Sequence, residues 1–75
     1  MHVIHTFVSN GKTIVFCGGS DITPETKCKR FVAAGKEYEA IGSSVANSIS
    51  DILQFGIVVR GTIDIPDGTL VDILE

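Results

Sequence analysis

The residues best suited to chemistry lie in a glycine-rich stretch, residues 18–23. Gly18 and Gly19 allow another molecule to approach the backbone closely, and Ser20 and Thr23 add hydroxyl groups. Free backbone N–H groups and the N-terminus of a following helix would attract a negatively charged group. The stretch lacks the Gly-Lys-Ser/Thr ending of a P-loop. It predicts an anion-binding loop, with an ordinary connection between two elements as the alternative.

Two arginines could add positive charge to such a site. Arg60 is the one cation from residue 37 onward, and Arg30 belongs to the basic first half. A guanidinium can bind a phosphate or carboxylate through two parallel hydrogen bonds, and a ring-bearing ligand also gains from aromatic stacking. For Arg60, a solvated strand end or an interface salt bridge is the alternative. The candidate aromatic surfaces are Phe7, Phe16, Tyr38 and Phe55.

No residue pattern indicates catalysis, a metal or a cofactor. His2 and His5 are three positions apart, which on a strand places them on opposite faces and prevents a shared metal site. We predict His5 to be packed or at an interface, with ligand contact as the alternative. Cys17 and Cys28 lack metal-type spacing and are predicted to be small buried apolar residues. The sequence therefore predicts a non-enzymatic protein.

Composition indicates one small domain, residues 1–75, that associates with itself. Apolar residues make up 44% of the chain, charged residues 20%, and the mean hydropathy is +0.34. So short a chain has little interior in which to bury this apolar surface, so we expect a homo-oligomer with its ligand site at a subunit boundary. No apolar run approaches the ~20 residues of a membrane span, so no membrane association is expected. The expected location is the cytoplasm.

Charge is unevenly distributed along the chain. The net charge is −3, and five of the six cations lie within residues 12–36. A nucleic-acid-binding domain would be basic overall, so nucleic acid is not an expected partner. The asymmetry fits either a small anionic ligand, nucleotides included, or contacts between basic and acidic surfaces of two subunits.

The clearest structural signal is a hairpin over residues 2–17. Asn10-Gly11 is typical of a two-residue type I′ turn, and the resulting register pairs Phe7 with Ile14 and His5 with Phe16. Both faces of the hairpin are largely apolar. One face would carry Val3, His5, Phe7, Ile14 and Phe16, and the other Ile4, Val8, Val15 and Cys17.

The remaining elements are predicted to be short. The Thr23-Pro24-Glu25 pattern favours a helix over residues 24–34, with a strand at residues 29–32 and a turn at 33–36 as the alternative. A second helix is predicted over residues 45–55, stopped by Gly56. Further strands are predicted at residues 36–41, 57–59, 62–65 and 69–73, with a turn at 66–68. The fold class is α+β and mostly β, a small closed barrel-like sheet of five to six strands with one or two short helices.

In order along the chain, these pieces resemble the glucitol/sorbitol-specific enzyme IIA family of the sugar phosphotransferase system. The matching residues are Ile14-Val15-Phe16, Gly19, Pro24-Glu25, Tyr38, Ala40-Ile41-Gly42, Ser44-Val45-Ala46, Leu53, Gly56, Pro66-Asp67-Gly68-Thr69 and Val71. The resemblance implies a β-barrel and, in that family, a phosphorylated histidine between the positions of Glu25 and Gly35. This chain has no histidine there. Residues 30–41 also resemble the opening of small SH3-like proteins of phages and their hosts.

From these patterns we expect a binding protein that holds or sequesters a small anionic ligand, of the kind that phages and bacteria encode compactly. The first alternative is a protein-interaction module such as an inhibitor or adaptor. The second is a degenerate phosphotransferase IIA-like protein.

Overall fold

Every regular element of the protein is a β-strand in the part of the chain that the computed structural model describes, residues 1–47 and 53–74. Six strands form one antiparallel sheet with the order β1-β2-β5-β4-β3-β6. They are β1 (His2–Ser9), β2 (Lys12–Gly18), β3 (Arg30–Ala33), β4 (Lys36–Asn47), β5 (Leu53–Arg60) and β6 (Val71–Leu74). No helix in these residues is long and apolar enough to cross a membrane.

The β1–β2 hairpin confirms the predicted turn and register. Asn10 and Gly11 have φ values of 54° and 72°, and His5 pairs with Phe16 as expected. The face assignment near the N-terminus is wrong, because the register shifts between Val3 and His5. This bulge turns Val3, only 1% exposed, onto the buried face and leaves Ile4 41% exposed.

The helix predicted over residues 24–34 is wrong, and so is the α+β class that depended on it. The chain makes a turn at residues 23–26 and then enters β3, which pairs with β4 on one side and β6 on the other. Ala34 and Gly35, with φ values of 52° and 74°, connect β3 to β4. The alternative strand interpretation was therefore nearer to the structure.

Packing of β3 explains why the helical signal was outweighed. Phe31 and Ala33, two residues apart, are both buried at about 1% exposure or less, whereas the intervening Val32 is partly exposed. The Phe31 ring also stacks on Tyr38 of β4, with ring centroids 5.2 Å apart. These long-range contacts favour the two-residue period of a strand over local capping preferences.

The second predicted helix, residues 45–55, is wrong wherever the structure describes it. Val45 lies in β4 and pairs with Phe55 of β5, and residues 48–52 are outside the described part. Gly56 does not end an element but lies inside β5, opposite Phe16. A Cβ at Gly56 would lie 3.9 Å from the Phe16 ring, so this ring packs over the glycine.

The expectation of a closed barrel is also wrong, because the sheet is open. Its two edges, β1 and β6, come together near the N-terminus through a bridge between His2 and Leu70. Backbone hydrogen bonds reinforce this contact: the Val3 amide donates to the Thr69 carbonyl at 2.8 Å, and the Val71 amide to the Met1 carbonyl at 3.0 Å. The predicted turn at residues 66–68 is present and interrupts strand geometry just before β6. β6 is only four residues long and is paired along its length with β3 and not with β1.

The core lies between the inner face of the curved sheet and two connections that fold across it. Its buried side chains are Val3, Val15, Cys17, Ile22, Cys28, Phe31, Ala33, Phe55, Ile57, Val59, Ile65 and Val71. The segment predicted as a strand at residues 62–65 is one of the covering connections. Thr13 fixes it, because its fully buried hydroxyl donates to the Gly61 carbonyl at 2.8 Å and accepts from the Ile63 amide at 3.0 Å.

Candidate functional site

The predicted anion-binding loop follows β2 and folds back on the start of the chain. Its carboxylate, Asp21, accepts a hydrogen bond from the Met1 ammonium at 2.8 Å. Thr23 and Thr26 bond each other, since the Thr23 amide donates to the Thr26 hydroxyl at 2.8 Å and the Thr26 amide to the Thr23 carbonyl at 3.0 Å. Ser20 is exposed. The loop thus brings a negative charge of its own to the position proposed for an anion.

Both glycines of this loop have a structural role. A Cβ at Gly18 would lie 2.6 Å from Cδ1 of Ile4. Gly19 has a φ of 152°, and a Cβ there would lie 2.6 Å from Oδ1 of Asp21 and 3.0 Å from Cα of Met1. Alanine at Gly19 would therefore strain the fold whether or not a ligand binds, so substitution there does not distinguish a binding loop from an ordinary connection. At Gly18 the exposed end of the Ile4 side chain can move aside.

Replacement of Asp21 by asparagine should reduce the acid sensitivity of the fold. The hydrogen bond from the Met1 ammonium lowers the pKa of Asp21 below its ordinary value of 3.8. A lowered pKa stabilises the fold above pH 3.8, and this contribution is lost as the pH falls through the folded-state pKa. The difference in melting temperature between pH 7 and a pH below 4 should therefore be smaller for D21N than for the wild type. Equal acid dependence of D21N, the wild type and the exposed control D64N would contradict this.

Arg60 is not brought near the glycine-rich loop. It pairs with Lys12 at the start of β2, whereas Gly18 ends that strand. Gly18 lies six positions after Lys12, a distance of about 20 Å at the usual rise per residue. Within one chain, Arg60 and the loop therefore cannot hold the same small ligand.

His5 and Phe16 lie together on the surface of the sheet that faces away from the core. Their ring centroids are 6.3 Å apart, in stacked orientation. Neighbouring strand positions add Phe7, Ile14 and Val58, which follow one another across β1, β2 and β5. We call these five residues the outer face. Phe7 is 52% exposed, so this side of the hairpin remains open to solvent.

The other two predicted aromatic contacts belong to the interior. Phe55 is fully buried in the core. Tyr38 is partly exposed, stacks on Phe31, and has the Lys36 ammonium 5.6 Å from its ring centroid. Phe55 pairs with Cys17, next to the glycine-rich loop, but its buried ring offers no surface to a ligand there.

The most site-like feature is a groove of about 480 Å³ between the start of β3 and the end of β6. We call it the basic groove. It is lined by Lys27, Cys28, Lys29, Arg30, Ile73 and Leu74. Arg30, which the sequence analysis singled out, pairs with Leu74 across the two strands. The groove therefore combines a cationic wall with an aliphatic wall.

Hydrogen bonds hold the backbone of the cationic wall in place. The Ala40 amide of β4 donates to the Lys29 carbonyl at 2.8 Å, and the Cys28 amide donates to the Ser43 hydroxyl at 3.3 Å. Cys28 points into the core, and the exposed Lys27 and Lys29 flank it. The backbone that carries the three cations is therefore anchored, and the ordering cost of binding is confined to their exposed side chains.

Acidic residues lie on both strands that flank β3. The Arg30 guanidinium lies 3.4 Å from the Glu37 carboxylate, and both side chains are about half exposed. Glu39 pairs with Arg30, and Asp72 lies on β6. An exposed ion pair of this kind contributes only about 0–1 kcal/mol, so an incoming anion can compete with Glu37 for Arg30.

The two cysteines are buried free thiols. Burial raises the pKa of Cys17 to about 11 and also raises the pKa of Cys28. Both are therefore protonated at neutral pH and are poor nucleophiles. Among the residues described, no group of three His, Cys, Asp or Glu side chains could hold a metal ion.

Sequence reasoning identified one residue of the basic groove and missed the others. The signal was present as three cations in four positions, Lys27, Lys29 and Arg30. A helix would point these three side chains in different directions around its axis. The turn and strand in the structure place them along one wall of the basic groove. Ile73 and Leu74 come from the far end of the chain, and only the β3–β6 pairing brings them there.

The fold and groove together define a small all-β protein with an open six-stranded antiparallel sheet and a cationic surface groove. Comparison with protein-family models, with curated proteins and with solved structures found no match.

Proposed function

We propose that this chain is a non-enzymatic binding protein that holds a small anionic ligand in the basic groove and works as a homo-oligomer. The observation that carries the proposal is the convergence of Lys27, Lys29 and Arg30 on one groove. Its volume of about 480 Å³ lies within the range typical of small-molecule sites. The aliphatic wall supplies apolar contact, and the cations supply charge-assisted hydrogen bonds.

Sequestration without catalysis fits the chemistry of the side chains. Cys28, the one thiol among the groove residues, keeps its proton because burial raises its pKa. The two free thiols, Cys17 and Cys28, also fit a reducing compartment, and we place the protein in the cytoplasm on that ground.

The outer face supports the oligomeric part of the proposal. The chain has an apolar surface on β1, β2 and β5 in addition to the core on the opposite side of the sheet. A second copy that covers this surface would remove Phe7 and its neighbours from water. The open edge of β6, beside the basic groove, offers a further boundary at which a neighbouring subunit could enclose the ligand.

The wild-type protein should have a mass in solution that is a multiple of 8.0 kDa at micromolar concentration. The double variant F7K/V58K should be monomeric, because two buried ammonium groups would oppose contact between apolar faces. The matched control L70K changes a residue that is 73% exposed but outside the outer face, and it should keep the wild-type mass. Light scattering after size exclusion measures all three. A monomeric wild type would contradict the oligomeric proposal.

Binding is tested by calorimetry of the wild type against inorganic phosphate, sugar phosphates, nucleotides and cyclic nucleotides. We expect saturable binding of at least one anion that weakens as salt increases. The same screen with R30Q should show weaker binding, whereas R60Q should behave like the wild type. If R60Q weakened anion binding and R30Q did not, the site would lie at the Lys12–Arg60 end of the sheet.

The outer face also favours one second candidate, a protein-interaction module without a small ligand. That candidate predicts no saturable anion binding and loss of partner capture in F7K/V58K. The resemblance to the phosphotransferase IIA family supplies a further alternative, in which His5 accepts a phosphoryl group from a phosphohistidine donor. Absence of phosphate on both His2 and His5 after exposure to such a donor would exclude it.

A further inference from the structure

The basic groove has two chemically different walls. Lys27, Lys29 and Arg30 form the first, and the aliphatic side chains of Ile73 and Leu74 form the second. Ile73 also packs against the core, so the aliphatic wall continues into the apolar interior. A ligand that fills this groove must present negative charge on one side and saturated hydrocarbon on the other.

No aromatic ring belongs to the described lining of the groove. Tyr38 is occupied by its stack on Phe31, Phe55 is fully buried, and Phe16 stacks with His5 on the outer face. A nucleobase would therefore find no ring on which to stack, although stacking is a main source of affinity for such groups. An aliphatic chain does not depend on stacking, so the absence of rings does not lower its affinity.

We infer that the groove takes an amphiphilic anion, a phosphate or carboxylate head on an aliphatic chain. This inference rests on the proposed function and names the ligand class of the same site. The head group accepts hydrogen bonds from Lys27, Lys29 and Arg30. The chain lies against Ile73 and Leu74, and each methylene that leaves water strengthens binding about fourfold.

The test is a calorimetric series of inorganic phosphate, butyl phosphate and octyl phosphate, with adenosine monophosphate beside it. We expect affinity to rise about fourfold per methylene until the chain fills the groove. L74S should flatten this rise with chain length, whereas R30Q should weaken every member, inorganic phosphate included, by a similar factor. I73S serves as a second variant on the aliphatic wall. E75Q removes the charge that follows Leu74 in the sequence and should preserve the rise.

Three results overturn the inference. A series that binds with no gain from chain length would contradict the ligand class but leave the anion site intact. Tighter binding of adenosine monophosphate than of butyl phosphate would do the same. If no phosphate binds at all, both the ligand class and the proposed function are wrong.

A second arm identifies the source of such a ligand. Phosphatidylcholine vesicles with and without phosphatidic acid are sedimented with the wild type and with R30Q. Cosedimentation that needs both phosphatidic acid and Arg30 assigns the site to a membrane lipid head group. Binding of soluble octyl phosphate without cosedimentation assigns it to a free alkyl phosphate or fatty acid.

Discussion

Truncating Phe31 to alanine is expected to remove a large part of the protein's free energy of unfolding. Phe31 is fully buried and stacks on Tyr38, so F31A removes a ring from the centre of the core. Such substitutions cost about 3–5 kcal/mol. A chain of 75 residues has a total stability of about 4–11 kcal/mol at the usual value per residue. The loss therefore takes a large part of the available stability.

The matched control for F31A is F7A, the same change at a phenylalanine that is 52% exposed. F7A should keep the fold at low concentration and weaken only self-association. Denaturant unfolding followed by circular dichroism measures both variants. Similar losses of unfolding free energy in F31A and F7A would contradict the assignment of β3 to the core and of the outer face to the surface.

Removing both lysines of the basic groove should weaken anion binding about tenfold or more at low salt. Charge-assisted hydrogen bonds contribute about 1.5–3 kcal/mol each, and exposure to solvent reduces this for Lys27 and Lys29. The variant K27Q/K29Q keeps Arg30, so some affinity should remain. The fold should be unaffected, because both side chains are exposed.

The control K12Q/K36Q removes the same charge elsewhere on the sheet. Lys12 pairs with Arg60, and Lys36 lies over the Tyr38 ring. Each double variant has a net charge of −5, since two positive charges are lost from −3. Calorimetry with butyl phosphate should show little change for K12Q/K36Q. An equal loss in both variants would mean that overall charge, and not the groove, determines binding.

The local sequence predicted the turn and register of the β1–β2 hairpin correctly, but it did not predict how the other strands pair. Asn10-Gly11 sets a turn whose twist fixes the register of β1 and β2, so no distant information was needed. β3 depends instead on β4 and β6, and β6 lies about forty residues later in the chain. Pro24 and the cations after it satisfied helical preferences that these pairings overrode.

The same reasoning explains which parts of the candidate site were predictable. The type of residue was visible, because Arg30 and the nearby lysines form a conspicuous cationic run. Their position on a groove was not, because the opposite wall comes from Ile73 and Leu74. The glycine-rich loop was misleading because its glycines leave space for Met1, Ile4 and Asp21 of this chain, and the sequence pattern suggested space for a ligand.

The central claim, that the basic groove binds small anions, is tested most directly by a nuclear magnetic resonance titration. Isotope-labelled protein is titrated with butyl phosphate, and the backbone amide signals are followed. We predict saturable shifts at residues 27–30 and at Ile73 and Leu74, with little change at residues 18–23 or at Arg60. Shifts confined to residues 18–23 or to the Lys12–Arg60 end, or no saturable shift anywhere, would contradict the claim.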